Sequence, residues 1–189
     1  MTKILNLLAV IIWIILASYR LRQSIEIGAI LPFSLALQSG IIAYFLVVRT
    51  PSIKTGPFYQ QIFSWFAVFA PVVIRIKGDC YAIGGIVAMV GTLLTLWALT
   101  SLGKSFGIAP ADRKLVKKGP YKFIRHPMYS GELISLFGGV VGCISAWNIF
   151  VVLLMFITFY LRISWEEAII SGYETYKKRV RWRLLPGVW

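Results

Sequence analysis

An all-α, multi-pass integral membrane protein is the fold class this sequence predicts, and three observations carry it. Hydrophobic residues make up 58% of the 189-residue chain, and mean hydropathy is +0.77. A water-soluble domain of that size would expose far too much apolar surface. The apolar residues come in runs near the length that crosses a bilayer, about 20 residues. Lysine and arginine, which set a net charge of +13, gather at the ends of those runs, as in loops facing anionic headgroups. That placement argues against nucleic acid as the partner the charge serves. The length suggests one domain. With one histidine and no His/Cys/Asp/Glu cluster, no metal site is expected. Cys80 and Cys143 lie in separate apolar segments, and no disulfide framework is expected either.

Ile4 to Tyr19 is apolar and short, closed by Arg20 and Arg22; it reads as a first span rather than a cleaved leader. Ile27 to Val48 is a full span with Pro32 near its start, where proline costs little, and Arg49, Thr50 and Pro51 end it. Phe58 to Ile76 is a third, kinked at Pro71 and closed by Arg75 and Lys77. Tyr81 to Leu102 is a fourth, rich in glycine and threonine that allow close packing in lipid. Gly103 to Ser130 is a long polar loop. Glu132 to Ser145 and Trp147 to Ile163 then form a helical hairpin of two short legs. Trp165 to Lys178 is expected as a charged amphipathic helix, and Arg179 to Trp189 as a basic, aromatic tail with Trp182 and Trp189 as interfacial anchors.

The count is therefore five or six transmembrane helices, with the first the uncertain one. Residues 1–102 supply the N-terminal spans; residues 103–189 supply the loop, hairpin and tail, as one integrated domain. With six crossings the loop near Arg49 and Lys54, the polar loop and the tail share one side, and the surplus of positive charge puts that side in the cytosol. The hairpin returns the chain to the side it left, so the loop before it and the helix after it must be neighbours.

Those two polar intervals hold the residues suited to chemistry. Gly119-Pro120 marks a turn. Pro127 fits the first turn of the next helix, which leaves His126 beside unpaired backbone N–H groups that favour an anion. Tyr121 and Tyr129 bracket Arg125 and His126. On composition alone the loop reads first as a basic juxtamembrane segment with tyrosine anchors; the functional reading is a pocket for an anionic or polar cofactor. Arg162 and Glu166 stand four apart and share one helix face. An arginine at membrane depth points to function, with a snorkelling ion pair as the plainer alternative. Glu167 is another possible partner or a solvated charge, and Glu132 a possible partner for Arg125. Glu174, Lys177 and Lys178 read as a solvated face.

Leu115-Val116, Gly119-Pro120-Tyr121, Arg125 to Tyr129, and the R-x-x-x-E of Arg162 and Glu166 resemble, in order and spacing, the isoprenylcysteine carboxyl methyltransferase family. The related phospholipid N-methyltransferases share a similar C-terminal half. The resemblance runs from about Leu102 to the C-terminus. It implies an S-adenosylmethionine-dependent membrane methyltransferase with a cytosolic cofactor pocket capped by the C-terminal segment. By motif position, Arg113, Lys114, Leu115, Val116, Tyr121, His126, Pro127, Met128, Tyr129 and Glu166 would bind the cofactor. Arg162 would be the catalytic residue facing a lipophilic methyl acceptor that comes from the bilayer, an isoprenylcysteine-type carboxylate. An ethanolamine phospholipid is the alternative acceptor; a sterol-reductase-like enzyme using NADPH and a non-enzymatic scaffold are the remaining alternatives. The short tail resembles microbial-type members, which would place the protein in a plasma or inner membrane.

Overall fold

The computed structural model describes residues 3–69 and 81–189. Its elements are almost all helices: α1 (Lys3–Ile27), α2 (Ile30–Val48), α3 (Phe58–Phe69), α4 (Ala82–Leu102), α5 (Pro127–Gly142), α6 (Ala146–Ile169) and α7 (Tyr173–Arg179). The exceptions are two short 3-10 turns and the two-residue strands β1 (Lys54–Thr55) and β2 (Ala111–Asp112). Among the described residues, α1, α2, α4 and α6 are each long and apolar enough to cross a membrane. Their outward faces are bare of any polar cover, with Ile25 76% and Ile30 73% exposed; lipid is the solvent such a surface requires. The protein is an all-α integral membrane protein.

The first helix differs from expectation. It does not end at Tyr19 but runs through Arg20 and Arg22 to Ile27, giving 25 residues. Arg20 is accommodated because it turns toward α2, donating to Ser39 Oγ at 2.7 Å and to the Leu35 carbonyl at 3.2 Å. Arg22 pairs with Glu26 at the surface. Gly28, at φ +63°, then reverses the chain into α2, a conformation glycine adopts without a Cβ penalty. The third expected span is helical over Phe58–Phe69; its remainder, with Pro71, Arg75 and Lys77, lies outside the described residues.

α4 and α5 make the tightest pair. A Cβ on Gly138 would sit 2.7 Å from the Gly84 carbonyl oxygen, and one on Gly131 would sit 2.6 Å from that of Gly91. Only hydrogen side chains permit that approach, as the small residues of this run foretell. The Thr92 and Ser135 hydroxyls meet across the same seam at 3.3 Å. At 16 residues, α5 is about 24 Å long, short of the ~30 Å hydrocarbon core.

α6 is one helix of 24 residues, capped by Ser145 Oγ on the Asn148 N–H. The expected amphipathic helix from Trp165 to Lys178 is not continuous. α6 stops at Ile169, Gly172 turns left-handed at φ +75°, and α7 restarts over seven residues. The expected separation of the two cysteines is also corrected: Cys143 is disulfide-bonded, and the chain's other cysteine, Cys80, lies outside the described residues.

The ends of α2, α4 and α6 and the start of α5 gather at one end of the bundle, where the polar loop is stitched down. β1 pairs antiparallel with β2, Lys54 opposite Asp112. Thr50 N–H donates to the Lys104 carbonyl at 2.9 Å. Asp112 is buried, and its carboxylate receives the backbone N–H groups of Lys114 at 3.2 Å and Ser171 at 3.1 Å. One side chain thus ties the loop to the α6–α7 turn. Burial works to raise its pKa, but the hydrogen bonds from Ser171 and Lys114 together outweigh it and hold the carboxyl below its ordinary value.

A group with a depressed folded pKa gives stability that is complete above its unfolded value and is lost as the pH falls through the folded one. Asp112→Asn should cost about 1–3 kcal/mol at neutral pH. The gap between variant and wild type should close as the pH drops below 3.8, which melting curves in detergent across that range will show.

Candidate active site

The loop and the start of α5 wall a pocket at this end of the bundle. Arg113, Lys114, Leu115 and Val116 line it from the loop, and Tyr121 from the following 3-10 turn. His126, Met128 and Tyr129 line it from α5 and its N-terminus, and Glu166 from α6. Nine of the ten residues expected for the cofactor therefore share one wall, although no two loop residues among them belong to a common helix. Pro127 is the exception. It is buried and starts α5, and it is not on the pocket wall. Lys114 holds φ +81°, rare outside glycine, and Asp112 fixes that turn by accepting its N–H.

Sequence reasoning left out half of this pocket's scaffold. Tyr173 and Tyr176, from α7, also line it. The Tyr176 hydroxyl donates to the Tyr121 carbonyl at 2.7 Å. Glu167, read from sequence as a possible partner or a solvated charge, is the hub behind the wall. It accepts from Arg183 Nε at 3.1 Å and Nη2 at 2.7 Å, a bidentate pair. It also meets His126 Nε2 at 3.2 Å and the Tyr173 hydroxyl at 3.0 Å. Arg125 Nη1 lies 3.3 Å from the same carboxylate, an ion pair whose angle is not that of a hydrogen bond. The expected Arg125–Glu132 pair is therefore overturned, because Glu132 points into a different cavity. The one signal available was the doublet Glu166-Glu167 in a chain with seven acidic residues.

Glu166 serves the pocket directly. Its Oε1 accepts the Tyr129 hydroxyl, and its Oε2 lies 3.9 Å from His126 Nδ1. Arg113 is buried, with its Nε lacking a hydrogen-bond partner among the described residues. Burial first, then the neighbouring Arg49, lowers its pKa to about 10, against the pull of Glu166. It stays a cation near neutrality, one that an anionic ligand group would stabilise. Burial and the negative charge of Glu166 push the Tyr121 phenol far upward, so it stays a neutral aromatic face.

A second cavity lies deeper, between the α1–α2 pair and the α5–α6 pair. Arg162 and Glu132 line it, with Trp13, Ile42 and Phe159 among its apolar walls. The two cavities share Gly107 and Met128. Counting the space that opens to the surroundings, they enclose about 710 and 830 Å³, within the range of small-molecule sites. Arg162 and Glu166 are one helical turn apart and 4.0 Å from each other, yet they serve different cavities. Arg162 is buried, lies over the Tyr129 ring at 5.2 Å, and donates Nη2 to the Ile108 carbonyl at 2.5 Å. The Arg162 Nε has no hydrogen-bond partner among the described residues.

The tail closes the side of the site. Arg125 N–H donates to the Trp182 carbonyl at 2.8 Å, His126 N–H to Arg183 at 2.9 Å, and Ser130 Oγ to Leu184 at 2.6 Å. Trp189 stacks on Tyr160 of α6 at 5.7 Å and lies under the Arg183 guanidinium.

The phospholipid methyltransferase family profile matches residues 80–179, just over half of the chain. The chain belongs to the phospholipid methyltransferase family. Membership makes it a membrane methyltransferase. No curated protein matches the chain significantly. The matched segment holds α4 through α7, and with them every residue expected for the site. It leaves out α1, α2 and the tail, which nonetheless wall the deeper cavity and brace the shallower one.

Glu167→Gln removes the charge that the tail's arginine pairs with and leaves Arg125 uncompensated. Loss of one partner from a buried pair costs about 3–5 kcal/mol. Limited trypsin digestion should cut the variant rapidly after Arg181 or Arg183, where the wild-type tail resists.

Proposed function

We propose that the protein transfers a methyl group from S-adenosylmethionine to a lipid-soluble acceptor, with an isoprenylcysteine-type carboxylate as the leading class. The observation that supports this reading best is the meeting of two cavities at Gly107 and Met128, one polar and aromatic, the other deep in the bundle with Arg162 on its wall. The residues of the first fit the donor. Glu166 suits ribose hydroxyls, the tyrosine faces suit adenine and a sulfonium, and Arg113, with its unpartnered buried Nε, suits an amino-acid carboxylate. When bound there, that donor supplies an electrophilic methyl group.

The chain's own residues then have positioning roles. Arg162 orients the acceptor carboxylate toward the shared opening. A carboxylate is already a nucleophile, so no proton has to be removed. Placement and exclusion of water are worth up to about 7–11 kcal/mol in favourable cases. The tail and α7 exclude water from the outer side of the pocket, and the surplus of positive loops supports a cytosolic position for this end of the bundle.

A second acceptor class has an observation of its own. An ammonium group must lose a proton before it can be methylated, and Glu132 lies on the acceptor cavity's wall beside Arg162. His126, the other candidate base, is held by Glu167 and Tyr173. An ethanolamine phospholipid would therefore use Glu132 as base.

Calorimetry of the purified protein with S-adenosylhomocysteine should give micromolar binding that is lost in Tyr121→Ala and Glu166→Ala. No binding to folded wild-type protein would overturn the methyltransferase site. Incubation with a prenylcysteine acid and with phosphatidylethanolamine, read by mass spectrometry, separates the acceptors. A base-labile methyl ester supports the carboxylate; an N-methyl product that disappears in Glu132→Gln selects the phospholipid.

A further inference from the structure

Arg20 has no place in the family's matched segment, yet it lines the same deep cavity as Arg162. It sits inside the candidate span Ile4–Ile27. Its α2 partner Ser39 stands ten residues before Arg49, about 15 Å further into the bundle than the end that carries the donor pocket. Arginine at that depth is costly and points to a functional role unless it finds a counter-ion. Arg20 has hydrogen bonds to Ser39 Oγ and the Leu35 carbonyl, both neutral acceptors. Among the described residues, no carboxylate lies within ion-pair distance of it.

The whole cavity repeats that imbalance. Its charged wall residues are Arg20, Arg162 and Glu132. Two guanidinium groups face one carboxyl, so the cavity is positive whatever the protonation of Glu132. Glu166, the other carboxylate near Arg162, opens to the donor pocket and already accepts from Tyr129. Two further donors on this wall lack hydrogen-bond partners among the described residues, Arg162 Nε and the Trp13 indole N–H, and both residues are at least nine-tenths buried. Unsatisfied buried donors are rare, and here they accompany an unpaired cation on one wall. The rest of the wall is mostly apolar, with Ile42, Leu136 and Phe159, and adds only uncharged polar side chains, Gln38, Thr95 and Ser135.

We propose that Arg20 is the second cation of the acceptor site and makes the enzyme selective for an acidic amphiphile. This rests on the methyl-acceptor reading of the cavity. Arg162 holds the acceptor's anionic group next to the donor, and Arg20 supplies positive potential from the far end, where low dielectric lets Coulomb attraction reach across the cavity. The hydrocarbon part packs against the apolar wall. A neutral or amine headgroup meets two cations and is disfavoured. Specificity therefore lies in α1, outside the segment that carries the methyl-transfer motifs.

The test uses a matched pair of probes, a C15 isoprenyl thioether acid and its primary amide, with the full-length protein in phosphatidylcholine nanodiscs saturated with S-adenosylhomocysteine. Calorimetry should show wild type binding the acid at least about tenfold more tightly than the amide, as a charged hydrogen bond implies. Arg20→Gln should lose about tenfold for the acid and little for the amide, and Arg20→Lys should keep most of the preference. In wild type the acid, but not the amide, should protect Arg20 from phenylglyoxal, a readout that needs no variant to fold. An unchanged preference in Arg20→Gln, or no protection of Arg20, overturns the proposal and leaves Arg20 as a pin between α1 and α2. Arg20-dependent acid binding without ester formation would sink the carboxylate reaction and leave this inference standing. Ester formation indifferent to Arg20 would do the reverse.

Discussion

The Glu167 carboxylate receives Arg183 from the tail, Tyr173 from α7, His126 from the N-terminus of α5, and the charge of Arg125 beside it. Three parts of the chain, the tail, α7 and the start of α5, meet on one side chain of α6. A carboxylate this far withdrawn from solvent cannot remain alone, since its desolvation must be offset by charge and hydrogen bonds. It therefore dictates where each of those parts ends. It adds charge to the backbone hydrogen bonds that lay the tail across the start of α5, and it turns Tyr173 of α7 toward the pocket. The adjacent Glu166 is left free of that duty and faces the pocket, where it meets Tyr129 and His126.

Consecutive positions on one helix can do such different work because they lie about 100° apart. Arg162, Glu166 and Glu167 occupy a single turn and a bit of α6, and each faces a separate environment: the deeper cavity, the shallower pocket and the tail. That arrangement needs α6 to be one unbroken helix, long enough to carry its charged last turns past the bilayer core. The 24 residues from Ala146 to Ile169 provide it.

The deeper cavity is built differently. It fills the gap between two cores, one of α1, α2 and α4 around Leu46 and Leu99, the other of α5 and α6 around Phe159 and Ile163. The glycine seam holds α4 against α5 and leaves the α1–α2 pair to stand off as a separate wall.

The sequence by itself determined the fold class and the neighbourhood of the site. Hydrophobic run length and charge at the run ends do not depend on tertiary contacts, and a hairpin of two apolar legs has to bring its flanking polar segments together. The R-x-x-x-E spacing put Arg162 and Glu166 on one face because a helix repeats every 3.6 residues. Tertiary structure decided what depends on distant partners. The helix continued through Arg20 because Ser39 and Leu35 accept its guanidinium, and no local pattern announces a partner in another helix. Glu167 became a hub rather than a solvated charge because the tail folded back to bring Arg183 to it. Arg125 chose that carboxylate over Glu132 because α5 and α6 aim the two glutamates into different spaces. In lipid a charge has no water to fall back on, so its role is set by which element reaches it.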